Sequence, residues 1–251
     1  MERKNIEINP LLDKYSEYIK KINNALDSEL NLYSESEFKE PLKYALYGGK
    51  RIRPIILLLS SECAGKIDDN TLAAACAIEF LHTESVIHDD IIDNETLRRQ
   101  KDPFHIKYGY NTSVLTGDFV LGLILNIASR INNPRVTKNL ATTAMMMSEG
   151  EMIEGRLETS EDVTFDDYIK VIKSQINIDR EISCVMDCGN SVGGLIAPHL
   201  FKELGINVTE IYCDINPDFP NHHPDPTVDA NLSDIIDKMK SSNYDLGVAF
   251  D

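Results

Sequence analysis

The chain has 251 residues, 42% of them hydrophobic and 26% charged, with 25 Lys and Arg against 41 Asp and Glu for a formal charge of −16. This is the composition of an ordinary globular protein and excludes collagen-like, low-complexity and disordered classes. The acidity also excludes nonspecific attraction to nucleic acid or an anionic membrane, so a phosphate-bearing ligand must be held by local cations or by metal ions that carboxylates recruit.

From residue 1 to about 173 the pattern is helical nearly throughout. Apolar residues at helical spacing predict helices over 72–92, 114–131 and 137–157, with alanines at 73–75 and 77 favouring the first. Breakers are few: Gly48 and Gly49, Pro54, Pro103 and Asn132-Asn133-Pro134. This part is predicted to be an all-α bundle. After about residue 174 the texture changes. Short apolar runs over 182–187, 207–213 and 245–250 predict strands, and helices are predicted over 195–204, with Gly205 as its stop, and over 232–240. A loop rich in Pro, Asp and His fills 216–227. Strands alternating with helices predict a small α/β unit with a parallel sheet, and the boundary between the two parts is placed at 173/174.

The five cysteines, Cys63, Cys76, Cys184, Cys188 and Cys213, are odd in number and form no CxxC pair, which argues against a disulfide framework or a zinc site. No apolar run follows Met1-Glu2-Arg3-Lys4, and the longest apolar stretches, near 55–59 and 119–127, are too short to span a bilayer. A cytoplasmic protein without a transmembrane segment is expected.

The chemistry concentrates in His88-Asp89-Asp90-Ile91-Ile92-Asp93. Asp89 and Asp93 are four apart and share one face of a helix. Clustered carboxylates repel one another unless a cation is present, and magnesium is commonly shared between carboxylates and a substrate phosphate. Arg98 and Arg99 follow with guanidinium groups suited to bidentate phosphate contacts. A solvated acidic helix end is the bland alternative, but His82, Ser85, Asp89 and Asp93 form one stripe on an otherwise apolar helix, which argues for a site. Upstream, Gly48-Gly49-Lys50-Arg51-Ile52-Arg53-Pro54 places three cations within four residues behind two glycines that let backbone approach a ligand. Two cation clusters and one acid cluster suggest two phosphate-bearing substrates.

With these motifs, GGKRIRP and LHTESVIHDDIIDNETLRRQ, the chain over about 10–173 resembles the trans-polyprenyl diphosphate synthases, the polyprenyl synthetase family. Gly117-Asp118 and the helix over 150–154 resemble later landmarks of that family. The resemblance implies an isoprenoid-synthase-like helical bundle and a transferase that condenses isopentenyl diphosphate with an allylic prenyl diphosphate. It implies that Lys50, Arg53, His82 and Arg99 bind isopentenyl diphosphate. Asp89 and Asp93 would hold Mg2+, Asp90 would support them, and Arg98 would contact the allylic diphosphate. A homodimer is implied as well. The resemblance further implies that small Ser85, four residues before Asp89, leaves the pocket floor open and favours products beyond fifteen carbons. Gln100 departs from the glycine usual after the two arginines.

The resemblance also implies further helices and a second aspartate-rich motif. Asp225, Asp229, Asp234 and Asp237 do not form one, so the bundle is expected to be incomplete. Residues 174–251 instead resemble the second domain of the phosphomannomutase/phosphoglucomutase enzymes, through CVMDCGNSVGG, FPNHHPDPT and DLGVAFD. In that family the last strand runs into a metal loop whose first aspartate would be Asp251. The alternatives to a prenyltransferase are therefore a noncatalytic isoprenoid-diphosphate-binding or partner subunit, and an inactive fusion carrying a mutase fragment.

Overall fold

The computed structural model describes residues 14–98, 101–158, 163–176, 178 and 180–250. The chain divides into two compact units, Met1–Met147 and Ser148–Asp251.

The first unit is helical: α1 (Ser16–Asn31), α2 (Lys39–Leu46), α3 (Ile52–Cys63), α4 (Asp69–Ile92), α5 (Phe104–Tyr108), α6 (Tyr110–Ile131) and the start of α7 (Pro134–Glu158), which runs past the division. The long helix α4 is central. Its buried residues, among them Ala75, Cys76, Ala77, Phe80, Leu81 and Ile87, lie all round it, which is the mark of a core helix rather than a surface one. The alanines let α3 and α6 approach closely. Fully burying a side chain such as Phe80 contributes about 1.5–3 kcal/mol. The helix starts three residues before the predicted 72 because Asp68 caps it. The Asp68 carboxylate accepts the Thr71 N–H at 2.9 Å, and the Thr71 hydroxyl accepts the Asp68 N–H at 3.3 Å.

Helix α6 extends the expected 114–131 helix by one turn. At 22 residues it is long and apolar enough, by length and composition, to cross a membrane, contrary to the expectation from its shorter apolar core. A core helix passes the same test. One face, including Thr116, Val120, Leu123 and Ile127, is buried, while Val114, Leu121 and Leu125 are exposed on the other with Asp118 between them.

The second unit carries α8 (Phe165–Gln175), β1 (Ser183–Asp187), α9 (Gly193–Glu203), β2 (Asn207–Ile211), α10 (Ser233–Ser241) and β3 (Leu246–Ala249). The three strands form a parallel sheet in the order β2-β1-β3, with Asp187 paired to Ile211 and Ala249. Central β1 is apolar and almost wholly buried, as expected of a strand covered on both faces. The strand predicted to reach Cys213 ends at Ile211 because Tyr212 adopts a left-handed backbone, φ 53°, and turns the chain out of the sheet.

Candidate functional site

The glycine-rich loop before α3 is built around a buried arginine. Arg51 takes a left-handed backbone, φ 59°, and its guanidinium points inward. It donates to Glu79 on α4 at 2.7 Å, to the Asn23 side-chain oxygen at 2.9 Å and to the Leu46 carbonyl at 2.8 Å. Three hydrogen bonds hold a conformation that costs a non-glycine residue energy on its own. Gly49 makes room for it, since a Cβ there would lie 2.2 Å from Arg51 Nη1. Arg51 is therefore an anchor, and the cations left facing outward are Lys50 and Arg53.

Arg53, in the first turn of α3, and His82, on α4, line one cavity of about 330 Å³ whose other walls are mainly apolar, including Leu57, Ile78, Leu81, Leu140 and Met147. Ser85 lies one turn further along α4, its hydroxyl donating to the His82 carbonyl at 3.0 Å. Asp89 follows four residues later, half-buried, and Asp93 is exposed at the C-terminal cap of α4. Burial, and next the neighbouring Asp93 charge, hold the Asp89 carboxyl above its ordinary pKa. A cation placed between these carboxylates would favour their charged forms.

Asp90 points the other way and is buried. Burial raises its carboxyl above the ordinary range and the Arg98 guanidinium, 3.2 Å away, opposes that shift. Asp90 and Arg98 line a second, much smaller cavity with Tyr44, Tyr47, Lys101 and Phe104. Lys101 stands over the rings of Tyr44 and Tyr47 at 4.5 and 4.2 Å. The structure thus brings together Arg53 with His82, and Asp90 with Arg98. Lys50, Ser85, Asp89 and Asp93 line neither cavity, and Arg99 lies outside the described residues, as does Gln100.

Sequence reasoning missed two supports of this site. Glu79 gave no signal because its partner Arg51 is 28 residues away. Glu84 was legible, since it sits four residues before His88, and the two pair at 3.0 Å. That hydrogen bond raises the His88 pKa against the lowering effect of burial. Gly117 on α6 receives the ring: a Cβ there would lie 2.4 Å from His88 Nε2.

In the second unit, the buried Asp187 carboxylate accepts the Gly189 N–H at 2.9 Å and meets His222 Nε2 at 3.0 Å. His222 Nδ1 lies 2.9 Å from the His223 carbonyl, so both of its ring nitrogens are engaged and the His222-His223 pair is part of the loop's own structure. Among the described residues, no group of three or more His, Cys, Asp or Glu side chains converges to hold a metal.

Solved structures share this architecture. A geranylgeranyl pyrophosphate synthase aligns with a TM-score of 0.59 at 30% identity, covering 64% of this chain and 50% of that one. A polyprenyl synthase from Caulobacter crescentus, complexed with calcium and isoprenyl diphosphate, aligns with a TM-score of 0.60 at 26% identity, covering 69% and 53%. The geranylgeranyl diphosphate synthase of Saccharolobus solfataricus is 31% identical over 195 residues, 73% of this chain and 57% of that protein. The helical unit thus has prenyl diphosphate synthases as structural neighbours. The chain belongs to the polyprenyl synthetase family, whose model matches residues 35–204. Residues 166–251 match a second model, phosphoglucomutase/phosphomannomutase alpha/beta/alpha domain II. Over 84 residues the chain is 49% identical to a phosphomannomutase/phosphoglucomutase of Pseudomonas aeruginosa, 34% of this chain and 18% of that protein. The chain spans just over half the length of its synthase relative and about a fifth of its mutase relative.

Proposed function

We propose that the first unit binds an allylic prenyl diphosphate and isopentenyl diphosphate and joins them by magnesium-assisted chain elongation. The observation that carries this reading is one helix, α4, presenting His82, Ser85, Asp89 and Asp93 in sequence, with an Arg53-edged apolar cavity beside its upper half.

Asp89 and Asp93 fit magnesium because they offer hard oxygen donors one helical turn apart, and Asp89 sits where its own charge is disfavoured. With two protein carboxylates, the remaining ligand positions fall to water and substrate phosphate, the usual division for this ion. The chemistry supplied by bound magnesium is neutralisation of the diphosphate as its C–O bond breaks. Arg98, steered by Asp90, contacts that diphosphate and stabilises the developing charge. Lys50, Arg53 and His82, with Arg99, hold isopentenyl diphosphate so that its double bond faces the allylic carbon. Apolar walls keep water from the carbocation. Ser85 leaves the floor open to products beyond fifteen carbons.

The exposed apolar face of α6 around Val114, Leu121 and Leu125 supports a homodimer. A cytoplasmic location accords with the five free cysteines. The join of the two family segments is placed at 173/174, inside the stretch where both family models match.

Calorimetric titration of the full chain with an allylic diphosphate tests the reading. Magnesium-dependent binding that is lost in Asp89→Ala/Asp93→Ala supports it, and equal affinity in the double variant refutes the metal assignment. Binding without turnover would identify the noncatalytic alternative.

A further inference from the structure

Two cysteines meet at the carboxyl edge of the small sheet. Cys188 directly follows β1 and is fully buried; Cys213 follows β2 and is half-buried. The strands are in parallel register up to Asp187 and Ile211, and the Cys188 N–H still donates to the Ile211 carbonyl at 3.3 Å. One residue on, the left-handed backbone of Tyr212 swings Cys213 back toward β1. The Tyr212 carbonyl is held there by the Asn190 N–H at 2.7 Å. The Cys213 backbone is fixed from the other side by α9, because a Cβ at Gly194 would lie 1.9 Å from the Cys213 carbonyl oxygen. The outcome is an Sγ–Sγ separation of 3.3 Å. A disulfide needs about 2.05 Å, so closure asks the two sulfurs to approach by little more than 1 Å.

We propose that Cys188 and Cys213 form a reversible disulfide that staples the carboxyl ends of β1 and β2 when the chain meets an oxidising low-molecular-weight disulfide. Cys213 is the entry thiol, since it alone of the pair reaches solvent. Its thiolate attacks one sulfur of the small disulfide, the S–S bond breaks, and one small thiol leaves. Cys188 then loses its proton and attacks Cys213 Sγ, expelling the second small thiol. The protein loses two electrons and two protons, and the small disulfide gains both as two thiols. Burial raises the thiol pKa of both cysteines, while the Cys188 contact partly offsets this at Cys213, which agrees with Cys213 attacking first and with a reaction that quickens at alkaline pH. The other three cysteines offer no such neighbour: Cys63 is exposed on α3, Cys76 is buried in α4, and Cys184 is buried within β1.

The test treats the reduced full chain with oxidised glutathione, digests it without reductant and maps cysteine peptides by mass spectrometry. The expected product is a peptide linking Cys188 to Cys213, two mass units below the reduced pair and restored by dithiothreitol. Cys188→Ser should instead accumulate a glutathione adduct on Cys213. Cys213→Ser should give neither link nor adduct in this unit, and Cys63→Ser should leave the link intact. A wild-type chain that keeps a stable adduct at Cys213 overturns the proposal, as does one in which both thiols stay free under conditions that modify Cys63.

Discussion

Arg51 shows how much of the site hangs on single residues. Its guanidinium is buried and paired with Glu79, and removing one partner of a buried pair strands the other charge at a cost of about 3–5 kcal/mol. Glu79→Ala should therefore lower the urea midpoint of the helical unit strongly, while Lys50→Ala, at an exposed position, should leave it nearly unchanged. Similar losses for both variants would show that Arg51 is not the anchor. His88 offers a pH test. Its pKa lies above the ordinary 6.5 through the Glu84 hydrogen bond, so the folded state holds the proton more tightly than the unfolded chain. That stabilisation is fully present below about pH 6.5 and is lost as pH rises through the raised value. Glu84→Gln should be less thermostable than the wild type at pH 6 and match it at pH 9; a constant offset at both pH values would contradict the assignment. The aspartate stripe was legible in the sequence because residues four apart must share a helical face. The inward turn of Arg51 was not, because nothing local distinguishes it from Lys50 or Arg53.

At the level of elements, periodicity located the long helices and the three strands, and caps and backbone turns set their ends. Asp68 began α4 earlier than its apolar pattern, and Tyr212 ended β2 two residues short of the expected Cys213. Asp68→Ala should cost about 1 kcal/mol through the lost cap, read as a small fall in the same urea midpoint. The contact of α4 with α6 has its own test. Gly117→Val would put side-chain atoms where His88 lies, and overfilling of this kind typically costs about 1–3 kcal/mol. Loss of stability with retained helical content is the expected result, and an unchanged midpoint would mean that α6 does not sit as described. Apolar pattern alone could not foresee α6 as a 22-residue helix of membrane-spanning length, since the polar residues Thr112 and Ser113 at its start interrupt the hydropathy while lying within the helix.

For the whole molecule, two family segments share one chain, and each keeps its own core: Ile22, Leu58, Phe80 and Ile127 in the first unit, Cys184, Met186 and Cys188 in the second. Sequence reading separated them because helical periodicity gives way to short strands, and the compact units divide after Met147. Helix α7 continues unbroken through that division, and a continuous helix leaves no local composition signal of a boundary. The exposed face of α6 is the proposed dimer contact: replacing Leu121 and Leu125 with Glu should shift a dimer to monomer in sedimentation, and an unchanged mass would remove that face from the interface.

Helix α4 is proposed to carry an isoprenoid diphosphate site. Incorporation of radiolabelled isopentenyl diphosphate into lipid-extractable product, with magnesium and an allylic primer, tests it most directly. The full chain should form product, and Asp89→Ala/Asp93→Ala should form none. Product formation that survives the double substitution would contradict it.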